Sequence, residues 1–394
     1  MVGHGSVLSL FTGAGGLDCG LEAAGLETIA CIENDSACAR TLEENRPSWK
    51  LLDCSDVVEA AKTLTPEDVG LGCGELAVLA GGPPCQPFSM AGQWVHSGRR
   101  GMDDSRALTV FAMLDLVAAF LPRVVLIENV AGFLRGTVSA LPFIQERLRE
   151  INRRHHVRYE LQAEVVDAAA YGVPQHRQRV IGVATRDRLP FRMPPATHTE
   201  HPTTAWDAIG DLRENDVPQP GGGWTDLLAC VPEGGNYQYL TARGGGEELF
   251  GYRTRYWSFL LKLAKDRPSW TLPANPGPAT GPFHWDNRPL SARERMRLQS
   301  FPDDWHVVGK PRERTRQIGN ATPPLLAEVV GRALVEQILA PGYGYQNPAV
   351  LLRPRARRTP RPRPPMAVPD RFRHVVGPKD AHNGPGRGPS PRPS

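Results

Sequence analysis

Apolar residues in the first half of the chain fall into two alternating patterns. Short runs rich in Val, Ile and Leu occur at Val7–Phe11, Glu27–Ile32, Glu75–Ala80, Val124–Ile127, Tyr159–Val166 and Val180–Ala184, and these have the length of strands. Between them, apolar residues at helical spacing mark Leu17–Ala24, Ser36–Asn45, Arg106–Phe120 and Leu141–Ile151; Pro47 and Pro122 stand just beyond two of these as stops. Strand–helix alternation of this kind predicts an α/β fold with a mostly parallel sheet covered on both faces.

The pattern breaks at residue 187. From 187 to 288 Gly, Pro and Trp replace periodicity, as in Pro218–Gly223, Gly244–Gly246 and Pro273–Gly281, which predicts a loop-rich insertion or small second domain. Regularity returns at Pro289. Ser291 and Glu294 have capping-box spacing ahead of Met296 and Leu298, and Thr322-Pro323 opens a last helix through Leu339. The expected organisation is residues 1–186 and 289–341 as one domain interrupted by 187–288. Residues 342–394 form a Pro/Arg-rich tail too poor in apolar residues to fold, so disorder is expected there.

Composition narrows the class. At 394 residues the chain exceeds what one core usually holds. No apolar run approaches the ~20 residues of a membrane span, and no signal peptide opens the chain, so a soluble, cytoplasmic protein is expected. Seven cysteines without a C-x-x-C pair argue against a disulfide framework or a metal site and leave room for one reactive thiol. The net charge of +4 is carried by the tail, where eleven Lys/Arg face two acidic residues, so the body is acidic. A nucleic-acid partner would have to be held by locally placed arginines.

Four clusters could carry chemistry. Phe11-Thr12-Gly13-Ala14-Gly15-Gly16 follows the first strand, where glycines let the backbone turn tightly and approach a ligand. Glu33, about 20 residues on, stands where a carboxylate can accept from ribose hydroxyls. Any nucleotide-type cofactor would suit this pair, but Asp18 replaces the third glycine of a dinucleotide fingerprint. The second cluster, Gly81-Gly82-Pro83-Pro84-Cys85-Gln86-Pro87, holds a cysteine between prolines in a glycine-bordered loop. That setting suits a nucleophile better than a buried apolar residue, provided a cation or helix terminus favours the thiolate. Third, Glu128-Asn129 ends the strand Val124–Ile127 on the same sheet edge. Fourth, Arg177 and Arg179 in Gln175-His176-Arg177-Gln178-Arg179 share one side of an extended segment and could fix a base or phosphate.

In this order, with Arg293-Glu294 through Pro302 and Gln317-Ile318-Gly319-Asn320-Ala321 later in the chain, the clusters resemble the DNA (cytosine-5)-methyltransferase family of bacterial type across residues 6–340. The resemblance implies a Rossmann-like S-adenosylmethionine-dependent methyltransferase sheet with a smaller target-recognition domain at 187–288. It implies double-stranded DNA as substrate, bound by a monomer, a cognate restriction endonuclease as partner, and a flipped cytosine. The implied catalytic set is Cys85 with Pro84 and Gln86, Glu128 with Asn129, and Arg177 and Arg179. The implied cofactor set is Phe11, Gly13, Gly15, Gly16, Glu33, Asn34, Asp56, Asn320 and Ala321. Asn34 stands where a larger side chain is common, the adenine contact could be Asp53 instead of Asp56, and Thr322 replaces a commoner Val. Arg243, Arg253, Arg255, Tyr256 and Trp257 are candidates for DNA contact, and Gln93–Asp104 for a lid. A tRNA cytosine methyltransferase would share the Cys85 loop, but its Cys-Phe-Thr signature is missing; a non-catalytic relative would have lost Cys85 or Glu128; a nicotinamide enzyme leaves Pro84-Cys85-Gln86 unexplained.

Overall fold

The computed structural model describes residues 4–84, 108–134, 139–213, 217, 219, 221, 223–251, 256–348 and 358–373. Seven strands form one sheet: β1 (Ser6–Leu10), β2 (Glu27–Ile32), β3 (Lys50–Leu51), β4 (Val78–Gly81), β5 (Val124–Asn129), β6 (Gln162–Asp167) and β7 (Gln178–Thr185). The spatial order is β3-β2-β1-β4-β5-β7-β6. The first five are parallel, while β7 runs antiparallel between β5 and β6. This is the α/β, mostly parallel sheet that the alternation predicts and the Rossmann-like arrangement that the resemblance implies.

Side chains alternate across the sheet, so each strand feeds two cores. Val7, Val78, Ala80, Val124 and Leu126 pack under α1 (Gly16–Ala23) and the penultimate helix. Leu8, Leu10, Leu79, Val125 and Ile127 face the other way. There they meet α3 (Val57–Thr63), α4 (Leu108–Phe120) and α5 (Leu141–His155). α2 (Ser36–Asn45) begins at Asp35, whose carboxylate accepts from the Ala37 and Cys38 N–H groups as a helix cap.

Beyond α6 (Ala205–Ile209), residues 227–283 build a core of their own around Leu227, Tyr237, Phe250 and Phe259, with little regular structure. The expected helix after Pro289 is α7 (Ala292–Leu298), capped by Ser291 and Glu294 as the spacing predicts. α8 (Pro311–Asn320) follows, and then α9 (Pro324–Leu334), which ends in a π-helical turn at Val335–Leu339. α1 packs closely on α9 and the residues that lead into it because Gly16 and Gly20 have no side chains: a Cβ at Gly16 would lie 2.2 Å from Thr322 O, and one at Gly20 would lie 2.3 Å from Pro324 O.

The structure corrects the expectation of a disordered tail for residues 358–373. This strap lies on the core of the 227–283 region, burying Val368 and Phe372 and ending in a short helix, α10 (Asp370–Arg373). Met366 N–H donates to Ala229 O at 2.9 Å, Phe372 stacks on Trp224, and Arg371 pairs with Asp226 at 2.6 Å. Two apolar side chains in an otherwise Pro/Arg segment are enough to dock it, a local signal that average composition dilutes. Of the rest of the expected tail, residues 342–348 are described, with Tyr345 packed against the sheet core, and residues 349–357 and 374–394 lie outside the described residues, as do Arg253, Arg255 and the proposed lid segment.

Candidate active site

The carboxyl ends of β1, β2, β4 and β5 bring the expected clusters to one sheet edge, the usual ligand position in such a fold. Phe11 leaves β1 in the left-handed region, at φ 56°, with its N–H bound to Ile32 O. Gly13, at φ 58°, donates its N–H to Glu33 Oε2 at 2.7 Å, and Asp35 N–H donates to Oε1 at 2.7 Å. Each carboxylate oxygen keeps a further lone pair for a ligand. Burial pushes the Glu33 carboxyl above its ordinary range, against the opposing pull of these backbone N–H groups. Glu33 therefore fixes both loops while leaving acceptor capacity toward the space in front of them.

That space is a cavity of about 730 Å³. One end is lined by Phe11, Gly13, Glu33, Asn34 and Asp56. Asp56 caps α3 through Val58 N–H, at 2.7 Å, and its side chain reaches the cavity, whereas Asp53 is exposed and not part of the lining. Asn320 and Ala321, at the end of α8, form the facing wall. Gly15 and Gly16 do not line it. They stand behind the loop, where a Cβ would meet the Trp305 ring at 2.8 Å and Thr322 O at 2.2 Å respectively. Their role here is to permit close packing of the loop on the last third of the chain.

The other end of the same cavity is formed by Pro83, Pro84, Glu128, Asn129 and Arg179. Register explains the grouping. Glu128 pairs with Ile181 across the antiparallel β5–β7 ladder, so Arg179 is its diagonal neighbour on the same face. Arg179 Nε lies 2.9 Å from Glu128 Oε1, and both side chains are largely buried. Asn129 donates from Nδ2 to Pro83 O at 2.9 Å, which ties the Pro83-Pro84 segment to the end of β5. Cys85 and Gln86, next in the chain, lie outside the described residues.

Arg177 also lines the cavity, and its backbone contacts join it to the wall opposite Glu33. Its guanidinium is buried and donates to Gly319 O at 2.8 Å and Ala321 O at 3.0 Å, so it props up the wall that carries Asn320. Among the other cysteines, Cys38 also lines the cavity, but burial and the nearby Glu33 and Asp35 carboxylates push its thiol far up. Burial raises Cys19 to about 12 and Cys31 still higher. These are poor nucleophiles. Among the described residues no group of three His, Cys, Asp or Glu side chains could hold a metal ion. Trp257 is partly exposed and meets Trp270 edge-on at 4.7 Å, Tyr256 packs on the core of the 227–283 region, and Arg243 is exposed.

Several site residues escape sequence reading. Arg316 on α8 forms an ion pair with Asp35 beside the cavity. Thr41 donates to Gln317 Oε1 at 2.7 Å, and Trp305 Nε1 donates to Ala14 O at 3.1 Å. Asp18 is fully buried behind the Gly loop, where it accepts from Thr28 Oγ1, and desolvation raises its carboxyl to about 6. α8 itself had a start signal, Pro311 followed by Glu313, but its polar sequence hides it from hydrophobic periodicity.

The sheet, with one cavity across the carboxyl ends of its parallel strands, defines a Rossmann-like α/β fold with a ligand site at its switch edge. Residues 5–336 match the C-5 cytosine-specific DNA methylase family, and the chain belongs to it. It is 37% identical over 371 residues to the Type II methyltransferase M.SacI of Streptomyces achromogenes, covering 84% of this chain and 93% of that protein. It is 34% identical to M.PspPI of Psychrobacter, over 85% of this chain and 80% of the relative. Among solved structures, the Entamoeba histolytica methyltransferase EhMeth shares the fold at a TM-score of 0.56 and 16% identity, covering 84% of this chain and 98% of that one. The protein is a DNA cytosine-5 methyltransferase that uses S-adenosylmethionine. Among the described residues no helix is long and apolar enough to cross a membrane.

Proposed function

We propose that the two ends of the cavity are the cofactor and base subsites, and that the enzyme methylates one cytosine within a short duplex sequence. One observation carries the reading: a single cavity joins the Glu33-anchored loop to the Glu128–Arg179 pair, beside the proline segment that leads to Cys85. Glu33 receives the ribose hydroxyls of S-adenosylmethionine, Asp56 the adenine amine, Phe11 the adenine face, and Asn320 closes the pocket. The cofactor supplies a methyl group made electrophilic by its sulfonium.

The chain's own residues make cytosine reactive. With the base flipped out of the stack, the Cys85 thiolate forms a bond to C6 and the ring electrons shift toward C5. Glu128 accepts from the N4 amine and holds the proton at N3, stabilising the ring as this happens. Arg179 holds Glu128 in place and keeps its carboxylate paired in a largely dry site. After C5 is methylated, loss of the C5 proton expels the Cys85 thiolate and restores aromaticity. Gln86 and Asn129 support the loop that presents Cys85.

The 227–283 region with its 358–373 strap reads the DNA sequence, with Arg243, Tyr256 and Trp257 among the contacts. The Type II names of the relatives favour a cognate restriction endonuclease; a short target sequence, a cytoplasmic location and action as a monomer on DNA complete the reading. To test the reading, the purified protein is incubated with methyl-tritiated cofactor and mixed-sequence duplex DNA, and the product nucleosides are separated. Label in 5-methyldeoxycytidine supports it; label in another nucleoside of the DNA, or only in transfer RNA offered in a parallel reaction, contradicts it.

A further inference from the structure

We propose that Asp35 and Arg316 form a latch at the rim of the cofactor cavity, opening to admit S-adenosylmethionine and closing behind it. The proposal rests on the assignment of this end of the cavity to the cofactor. At the cofactor end the lining comes from distant parts of the chain: residues 9–59 on one side, and on the other residues 316–322 from the segment that begins near Trp305. Several polar contacts join these parts. Thr41 with Gln317 and Trp305 with Ala14 are buried, so they hold the walls together permanently. The Asp35–Arg316 pair differs, because its side chains remain 23% and 36% exposed while both residues line the cavity.

Exposure decides how such a pair behaves. An ion pair at a wet surface is individually weak and opens without disturbing the packing beneath it. Here it is also wired to the cofactor-facing groups. Asp35 N–H donates to Glu33 Oε1, and Asp35 Oδ1 accepts from the first turn of α2 at 3.0 and 3.2 Å. Its other oxygen, Oδ2, takes Arg316, four residues before Asn320 on α8. Burial acts to raise the Asp35 carboxyl, but Arg316 and the α2 N–H groups outweigh it and hold it low, so the pair stays ionised at neutral pH. Opening the pair swings the Arg316 side chain away from the rim while the Thr41–Gln317 contact keeps α8 in place.

The test uses the full-length protein with single variants Arg316→Gln and Asp35→Asn and the double variant. Asparagine still caps α2, so Asp35→Asn removes the charge without removing the cap. Binding of S-adenosylmethionine is measured by calorimetry at low and high sodium chloride, and its dissociation by stopped flow. Each single variant should weaken binding about threefold to fivefold at low salt, chiefly through faster dissociation, and the double variant no further. High salt should weaken the wild type toward the variants and leave the variants unchanged, because screening acts on the pair. If the two losses add in the double variant, or salt weakens all four proteins alike, the latch is wrong. Should Arg316→Gln unfold the protein, Arg316→Lys keeps the charge and is expected to bind like the wild type; weak binding by a folded Lys variant also contradicts the latch. Glu33→Ala separates the two readings. If it abolishes binding while Arg316→Gln leaves it intact, only the latch fails; if it too has no effect, the cofactor assignment fails.

Discussion

Arg179 Nε stands 2.9 Å from Glu128 Oε1, in a site where both side chains are about nine-tenths buried. The antiparallel pairing of β5 and β7 creates this contact, since it sets Arg179 diagonally across from Glu128. A carboxylate so placed is held by a strand neighbour instead of by a mobile loop. It is therefore oriented before the base arrives, which is the condition for electrostatic stabilisation without reorganisation.

Glu128→Gln should lower kcat by about 10²- to 10⁴-fold, the usual range for a lost acid–base group. Arg179→Ala should cost about 10²-fold or more by leaving Glu128 unanchored. Cofactor affinity should stay the same in both, as read by calorimetry. A parallel loss of cofactor binding would instead mean that the pair maintains the cavity.

Arg177→Ala should behave differently from Arg179→Ala. Its guanidinium donates to two carbonyls at the end of α8, and charged hydrogen bonds of this kind contribute about 1.5–3 kcal/mol. A lower melting temperature together with weaker cofactor binding is expected. Normal stability with a selective loss of kcat would return Arg177 to the base.

Gly16→Ala should destabilise the fold by about 1–3 kcal/mol, because its Cβ would sit 2.2 Å from a backbone oxygen that has no room to move. Urea denaturation checks this. An unchanged midpoint would show that the Thr322 backbone can shift away from α1 at little cost.

Asp18 predicts a pH dependence. Its carboxyl rises from 3.8 to about 6 on folding, so the folded state holds the proton more tightly than the unfolded state. The group favours folding below pH ~4, and that contribution is lost as pH rises through about 6. The difference corresponds to about 3 kcal/mol. Stability of Asp18→Asn relative to the wild type should therefore climb between pH ~4 and ~6 and level off above. A difference that is flat with pH would contradict the buried, desolvated placement.

Much of the sheet could be read from the sequence, because Val, Ile and Leu runs and helical spacing are local signals. Ser36–Asn45 and Glu27–Ile32 fall where the pattern puts them. α3 and α8 were missed because neither shows a strong apolar stripe in its own sequence. The clusters at Gly13, Glu33 and Glu128 were legible because each follows a strand, and parallel strands deliver their carboxyl ends to one edge. What could not be read was contact across long sequence separations. Arg316 on Asp35 and Arg177 on Gly319 depend on how α8 folds back, and nothing near either arginine announces it. The strap was hidden by the same averaging: a Pro/Arg-rich composition outweighs Val368 and Phe372 until a groove is available to receive them.

Truncation after residue 357 tests the strap. Removing Val368 and Phe372 from the core of the 227–283 region should cost roughly 3–6 kcal/mol, at about 1.5–3 kcal/mol per buried side chain. Calorimetric unfolding should show a lower transition for that region, and an unchanged trace would mean that the strap rests on the surface without stabilising it.

The most direct test of the central claim is covalent trapping on duplex DNA in which 5-fluorocytosine replaces cytosine, with labelled S-adenosylmethionine present. Fluorine at C5 blocks the final elimination, so the enzyme should remain bound to the methylated base through denaturing electrophoresis. Peptide mapping should place the adduct on Cys85, and Cys85→Ala should form none. An adduct on any other residue, or turnover by Cys85→Ala, would contradict the account.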